Sequence, residues 1–191
     1  MAYASLTDIK TQLGITGSGE DTFLGNLRTQ CGKAIDNYCD RPDGFASGTW
    51  THYLDGGGVS TLLLRNTTIT SITSVHDDIN RAFGSDSLIA STSYNFIADT
   101  GELNLETSNI ISQPTGIFQN GTGNVKVIYV GGYSSIPDDI QLAEIILVSK
   151  YFNLRRSAGI TNMTAGGLSL GFDHGFPQEA KDLLSKYRSH I

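Results

Sequence analysis

The chain has 191 residues, 39% of them apolar, and 19 Asp and Glu against 13 Lys and Arg leave a net charge of −6. That length allows one sizeable core or two small ones. There is no run of about eighteen apolar residues to span a bilayer, and an acidic balance argues against gripping nucleic acid by neutralising phosphates.

The opening Met1-Ala2-Tyr3-Ala4-Ser5 lacks the basic and apolar regions of a secretory signal, so a protein made and used in a reducing cytoplasm is expected. Ser5-Leu6-Thr7-Asp8 matches a capping box with Asp in the usual Glu position, and Gly14 should stop the short helix that carries Ile9 and Leu13. Acidic residues after Gly17-Ser18-Gly19 start a second helix. Its Phe23, Leu24, Leu27, Cys31, Ala34, Ile35 and Tyr38 recur at three- and four-residue steps, and Arg41-Pro42-Asp43-Gly44 ends it. Cys31 and Cys39 lie about 12 Å apart along that helix, too far for a disulfide, and read as small buried residues.

From residue 45 to 132 the composition turns to Thr, Ser, Gly, Asn and β-branched residues. Period-two runs predict strands at Thr49–Leu54, Thr61–Leu64, Thr68–His76, Tyr94–Ala98, Glu102–Leu105 and Asn124–Val130. Asp55-Gly56-Gly57-Gly58, Asp99-Thr100-Gly101 and Asn120-Gly121-Thr122-Gly123 supply the turns between them. The polar stretch Asp77–Ser93 reads as a long, partly mobile loop.

Ile136-Pro137-Asp138-Asp139 opens a third helix, with Pro at the first helical position and acids in the first turn. Ile140, Ala143, Ile146, Leu147 and Tyr151, widened by Ile145, Val148 and Phe152, make it the central helix, and Arg155 and Arg156 fall in its last turn. Residues 157–176 are Ser/Gly/Thr-rich with isolated Met163, Leu168, Leu170, Phe172 and Phe176, and read as structureless. A segment of that length inside a compact domain is usually functional or disordered, so it reads either as a mobile surface loop or as a segment that orders against another subunit or partner. A last helix, Pro177–His190, carries Ala180, Leu183, Leu184 and Tyr187 on one side.

The predicted fold class is α+β: a helical bundle formed by both chain ends (1–44 and 133–191, with a C-terminal arm) around an inserted antiparallel β domain (45–132). Chemistry is scarce. Gly121-Thr122-Gly123-Asn124 lacks the spacing and the Lys-Ser/Thr pair of a phosphate-binding loop, and no metalloprotease, hydrolase or CxxC motif is present. His76 and Asp77 would point to opposite faces of a strand, so His76-Asp77-Asp78 is a poor ligand set. Asp138-Asp139 is better explained as helix-start acids, and Asp173-His174 has no nucleophile nearby in sequence. No enzymatic activity, metal or cofactor is expected.

Several stretches together resemble the head–tail connector (adaptor) proteins of tailed bacteriophages. They are Tyr3-Ala4-Ser5-Leu6-Thr7-Asp8-Ile9-Lys10 with Leu13-Gly14-Ile15, then Ala34-Ile35-Asp36-Asn37-Tyr38-Cys39-Asp40-Arg41, Tyr53-Leu54-Asp55-Gly56 and Leu62-Leu63-Leu64-Arg65-Asn66. Further on, Ile69–Val75, Val125–Tyr133 leading into Ile136–Ile140, and the ending Leu183, Leu184, Tyr187, Arg188 continue in the same order. The resemblance implies a structural virion protein. It would form a homo-oligomeric ring of about twelve copies in the virion neck, assembled in the host cytoplasm, that docks to the portal and to a tail-proximal neck or tail-completion protein. DNA would pass through its lumen without sequence-specific binding. The interface candidates are then Arg155, Arg156, Met163, Leu168, Leu170, Phe172, Phe176, Leu183, Leu184 and Tyr187. The alternative is a neck or tail-completion protein with a partner-binding β domain.

Overall fold

The computed structural model describes residues 2–106, 116–155, 162–165, 168–171 and 175–188. Among them the fold is mixed α/β, with four helices and antiparallel sheets. The chain divides into two compact units, Met1–Gly44 with Ile136–His190, and Phe45–Ser135.

In the first unit, α1 (Leu6–Leu13) begins where the Ser5 hydroxyl accepts the Asp8 N–H at 3.0 Å, and ends on Gly14 at φ 67°. The cap and the stop are the ones the sequence predicts. α2 (Asp21–Tyr38) buries Leu24, Cys31 and Ile35. α3 (Asp138–Leu154) packs against α1, α2 and the later α4. It buries Ile140, Ala143, Leu147 and Val148, and also Glu144. Pro137 stands just before this helix and not at its first position.

Burial of Glu144 is possible because its Oε2 accepts the N–H groups of Tyr3 at 2.7 Å and Ala4 at 2.5 Å. The Tyr3 hydroxyl donates to Asp36, and Arg28 donates to the Ala4 carbonyl at 3.0 Å. The N-terminal segment is therefore fixed by side chains of α2 and α3. Cys31 and Cys39 are buried free thiols, with burial pushing Cys31 up to about 12 and Cys39 up to about 11.

The segment 157–176 is not structureless: β8 (Asn162–Ala165) pairs antiparallel with β9 (Leu168–Gly171). The apolar residues there alternate, which is a strand period too short to stand out among the glycines. The last helix is shorter than predicted. α4 (Gln178–Leu184) tightens into a 3₁₀ turn, Ser185–Tyr187.

The second unit holds β1 (Gly48–Leu54), β2 (Thr61–Leu63), β3 (Ser71–Asp77), β4 (Leu88–Ile89), β5 (Tyr94–Ile97), β6 (Glu102–Leu105) and β7 (Val125–Gly131). They form a four-stranded sheet in the order β1-β7-β3-β4 and a three-stranded sheet in the order β2-β6-β5. Alternate residues of both sheets close one core around Leu64, Val75, Leu103, Phe118, Val125, Val127 and Tyr129. Gly132, at φ 102°, lets the chain leave β7; a Cβ there would lie 2.5 Å from the Ala46 carbonyl oxygen.

The loop expected over Asp77–Ser93 is instead ordered, with a 3₁₀ turn at Ser85–Ser87, strand β4 and a second 3₁₀ turn at Ser91–Ser93. Its polarity has a local cause. The Asp78 carboxylate accepts the N–H groups of Asn80, Ala82 and Phe83 at 2.8–2.9 Å, reversing the chain so that Ile89 reaches the core.

Candidate assembly surface

α4 faces two ways. Ala180 and Leu184 are fully buried and Tyr187 is nearly so, which places Leu184 and Tyr187 in the interior of the helical unit. They hold α4 in place and are not open to a second chain. The Tyr187 carbonyl accepts from Arg41 Nε at 3.1 Å. Phe176 stacks on Tyr38 with ring centroids 4.9 Å apart, and the Arg188 guanidinium lies 5.4 Å from the same Tyr38 ring. The C-terminal helix is thus clamped at both ends by its own subunit.

Leu183 turns the other way. With Leu142 and Ile146 of α3 it floors an open groove whose rim carries Asp139, Glu179, Asp182 and Lys186. Leu142 is 47% exposed, unusually open for a leucine on a packed helix. Lys186 Nζ meets Asp139 Oδ2 at 2.6 Å, and the Tyr187 hydroxyl donates to the same oxygen at 3.3 Å. The Lys186 hydrogen bond is the main reason Asp139 is held below the usual carboxylate range and Lys186 is raised. The groove is apolar at its base and acidic at its rim, chemistry suited to a protein segment.

Arg155 forms a second cluster. Its two terminal nitrogens grip the Glu20 carboxylate at 2.8 and 2.9 Å, and its guanidinium lies 4.0 Å from the Phe152 ring centroid and 5.5 Å from that of Phe23. The acid Arg155 pairs with is in its own chain. The β8–β9 pair follows α3 in the chain, and its register sets Met163 opposite Leu170 and Ala165 opposite Leu168. Arg156 and Phe172 lie outside the described residues.

Sequence reasoning missed Glu144, Glu20 and the Asp139–Lys186 pair. Glu144 had a signal: it sits within the Ile140–Val148 apolar stripe, where a charge requires a buried partner. Glu20 and Asp139 looked like ordinary helix-start acids, and their partners are 135 and 47 residues away. His76 and Asp77 diverge as the strand period requires. His76 Nδ1 lies 3.2 Å from Ser87 Oγ, while Asp77 turns inward to the Gln119 N–H and the Asn124 side chain. Among the described residues no group of three or more His, Cys, Asp or Glu is placed to hold a metal ion, and no helix is long and apolar enough to cross a membrane.

Among the described residues the chain therefore combines a helical unit, which presents a grooved helix pair and carries a short ribbon, with a separate β unit. The fold is similar to that of a chain in "Neck of empty GTA particle computed with C6 symmetry", with a TM-score of 0.62 and 16% identity over 97% of this chain and 88% of that one. No curated protein matches the sequence. The family model described as head completion protein matches residues 3–190, and the chain belongs to the head completion protein family. The head–tail connector resemblance seen in the sequence agrees with membership of this family.

Proposed function

We propose that this protein is a non-enzymatic connector subunit. Copies of it form a ring, expected to contain twelve, that docks to the portal, joins the head to a tail-proximal protein and lets DNA pass through its lumen. The helices from both chain ends act as one bundle that carries the contact surfaces. Assembly takes place in the host cytoplasm and the finished ring belongs to the virion neck.

The observation that carries this reading is the C-terminal arrangement. A ribbon with alternating apolar residues in its sequence, β8–β9, precedes a helix that its own subunit clamps firmly while half-buried Leu183 and exposed Leu142 of α3 line an open groove. Family membership and the neck particle that contains a similar fold support it. Met163, Leu168, Leu170 and Leu183 make the partner contacts, while Leu184, Tyr187 and Phe176 act through positioning. Each copy need bind only weakly, because a closed ring multiplies its contacts and a head-to-tail interface closes without leaving a free end. A net charge of −6 is compatible with DNA sliding past the wall.

Deletion of residues 162–171, which spares the Phe176–Tyr38 stack, tests the reading. The shortened chain should keep the circular dichroism of the folded protein and lose capture by purified portal. Retained capture would remove the ribbon from the interface.

A further inference from the structure

The four-stranded sheet ends on β1, a seven-residue strand whose one sheet neighbour among the described residues is β7. Thr70 donates to the Val130 carbonyl and Asp78 to the Asn124 carbonyl, both at 2.8 Å, so even-numbered residues of β7 turn their polar groups to the β3 side. Odd-numbered residues turn theirs to β1, as the Trp50 indole bond to the Gly131 carbonyl also indicates. With Trp50 opposite Tyr129 and His52 opposite Val127, the β7-facing groups of β1 belong to Gly48, Trp50, His52 and Leu54. Those of Thr49, Thr51 and Tyr53 face outward. All three residues are exposed, and among the described residues no turn or loop hydrogen bond reaches their backbone groups.

Natural sheets protect such an edge with a proline, a charge or a bulge. β1 has none: it reads Gly-Thr-Trp-Thr-His-Tyr-Leu, and its pairing with β7 runs without a register shift. The edge is also symmetric about Thr51. An antiparallel copy would set Thr51 against Thr51 and Thr49 against Tyr53 twice, with each outward N–H meeting a carbonyl. No charged residue on one strand would face its like on the other. The Tyr53 side chain, already leaning on Phe83 with centroids 5.5 Å apart, would cover the Thr49 of the second copy.

We infer that the β1 edge pairs with the β1 edge of a second copy of this chain, antiparallel and centred on Thr51, so that the unassembled protein is a reversible dimer. A strand pair buries less than the ~1,200 Å² of a stable complex, so the association is weak and concentration-dependent. The inference is independent of the ring: a two-fold contact is isologous and a ring wall is head-to-tail.

Sedimentation equilibrium over a wide concentration range tests it. The wild type and Thr51→Val, which leaves the backbone groups in place, should both dimerise. Thr51→Lys and Thr51→Glu, exposed changes that the fold tolerates, should each sediment as monomers because like charges meet at the two-fold axis. An equimolar mixture of the Lys and Glu variants should recover the dimer. A monomeric wild type, a dimer that persists in either charged variant alone, or a mixture that stays monomeric would each overturn the proposal.

Discussion

Glu144, at the middle of α3, accepts the backbone N–H of Tyr3 across 141 positions of sequence, at 2.7 Å and out of contact with solvent. One carboxylate oxygen serves both Tyr3 and Ala4, while the other is buried without a hydrogen-bond partner among the described residues. Replacing Glu144 by Ala orphans two buried donors and should cost about 2–4 kcal/mol. Chemical denaturation would read this as a lower midpoint at unchanged slope.

The same carboxyl makes stability depend on pH. Burial raises its pKa above the ordinary 4.5, only partly opposed by the Ala4 and Tyr3 N–H bonds and by Arg28. A raised carboxyl favours folding fully below its unfolded pKa, and that contribution is lost as pH rises through the folded value. Glu144→Gln keeps an acceptor for both N–H groups and does not ionise. The variant should therefore gain stability relative to the wild type as pH rises above about 4.5. Parallel denaturation curves for the two proteins across that range would refute the assignment.

Leu183 and Leu184 are neighbours with opposite roles. Leu184→Ala should destabilise the protein by about 2–5 kcal/mol, because it opens a cavity in the helical core. Leu183→Asp puts its charge in the open groove and should leave the melting temperature nearly unchanged while reducing portal capture. Equal effects of the two substitutions on stability would place both side chains in the core.

The β unit has its own polar keystone. The Asn124 side chain donates to Asp77 at 3.0 Å and to the Gln119 carbonyl at 2.9 Å, and accepts the Gly56 N–H at 2.9 Å. Asn124→Ala should cost about 2–4 kcal/mol, since it leaves the buried Asp77 carboxylate short of a donor. Burial already raises Asp77, and loss of the amide should raise it further, which carbon-13 NMR of the carboxyl would detect.

Much of this fold was legible in the sequence because its signals are local. Ser5, Asp8 and Gly14 delimit α1 unaided, and strict alternation located β1 and β7. What could not be read depends on distant partners. Glu144 looks anomalous until residues 3 and 4 fold over it, and Asp78 looks like loop polarity until its three backbone donors are seen. The candidate surface was half legible. Spacing put Leu183, Leu184 and Tyr187 on one stripe, but α3 covers Leu184 and Tyr187 far more completely than Leu183. A seven-residue helix has too few turns for periodicity to reveal that difference.

A reconstruction of the virion neck would show where copies of this chain sit. They are expected as a ring at the head–tail junction, with the β8–β9 ribbon and the Leu142–Leu183 groove against neighbouring chains. Density for the chain elsewhere in the particle, or a neck in which both features face only solvent, would contradict that placement.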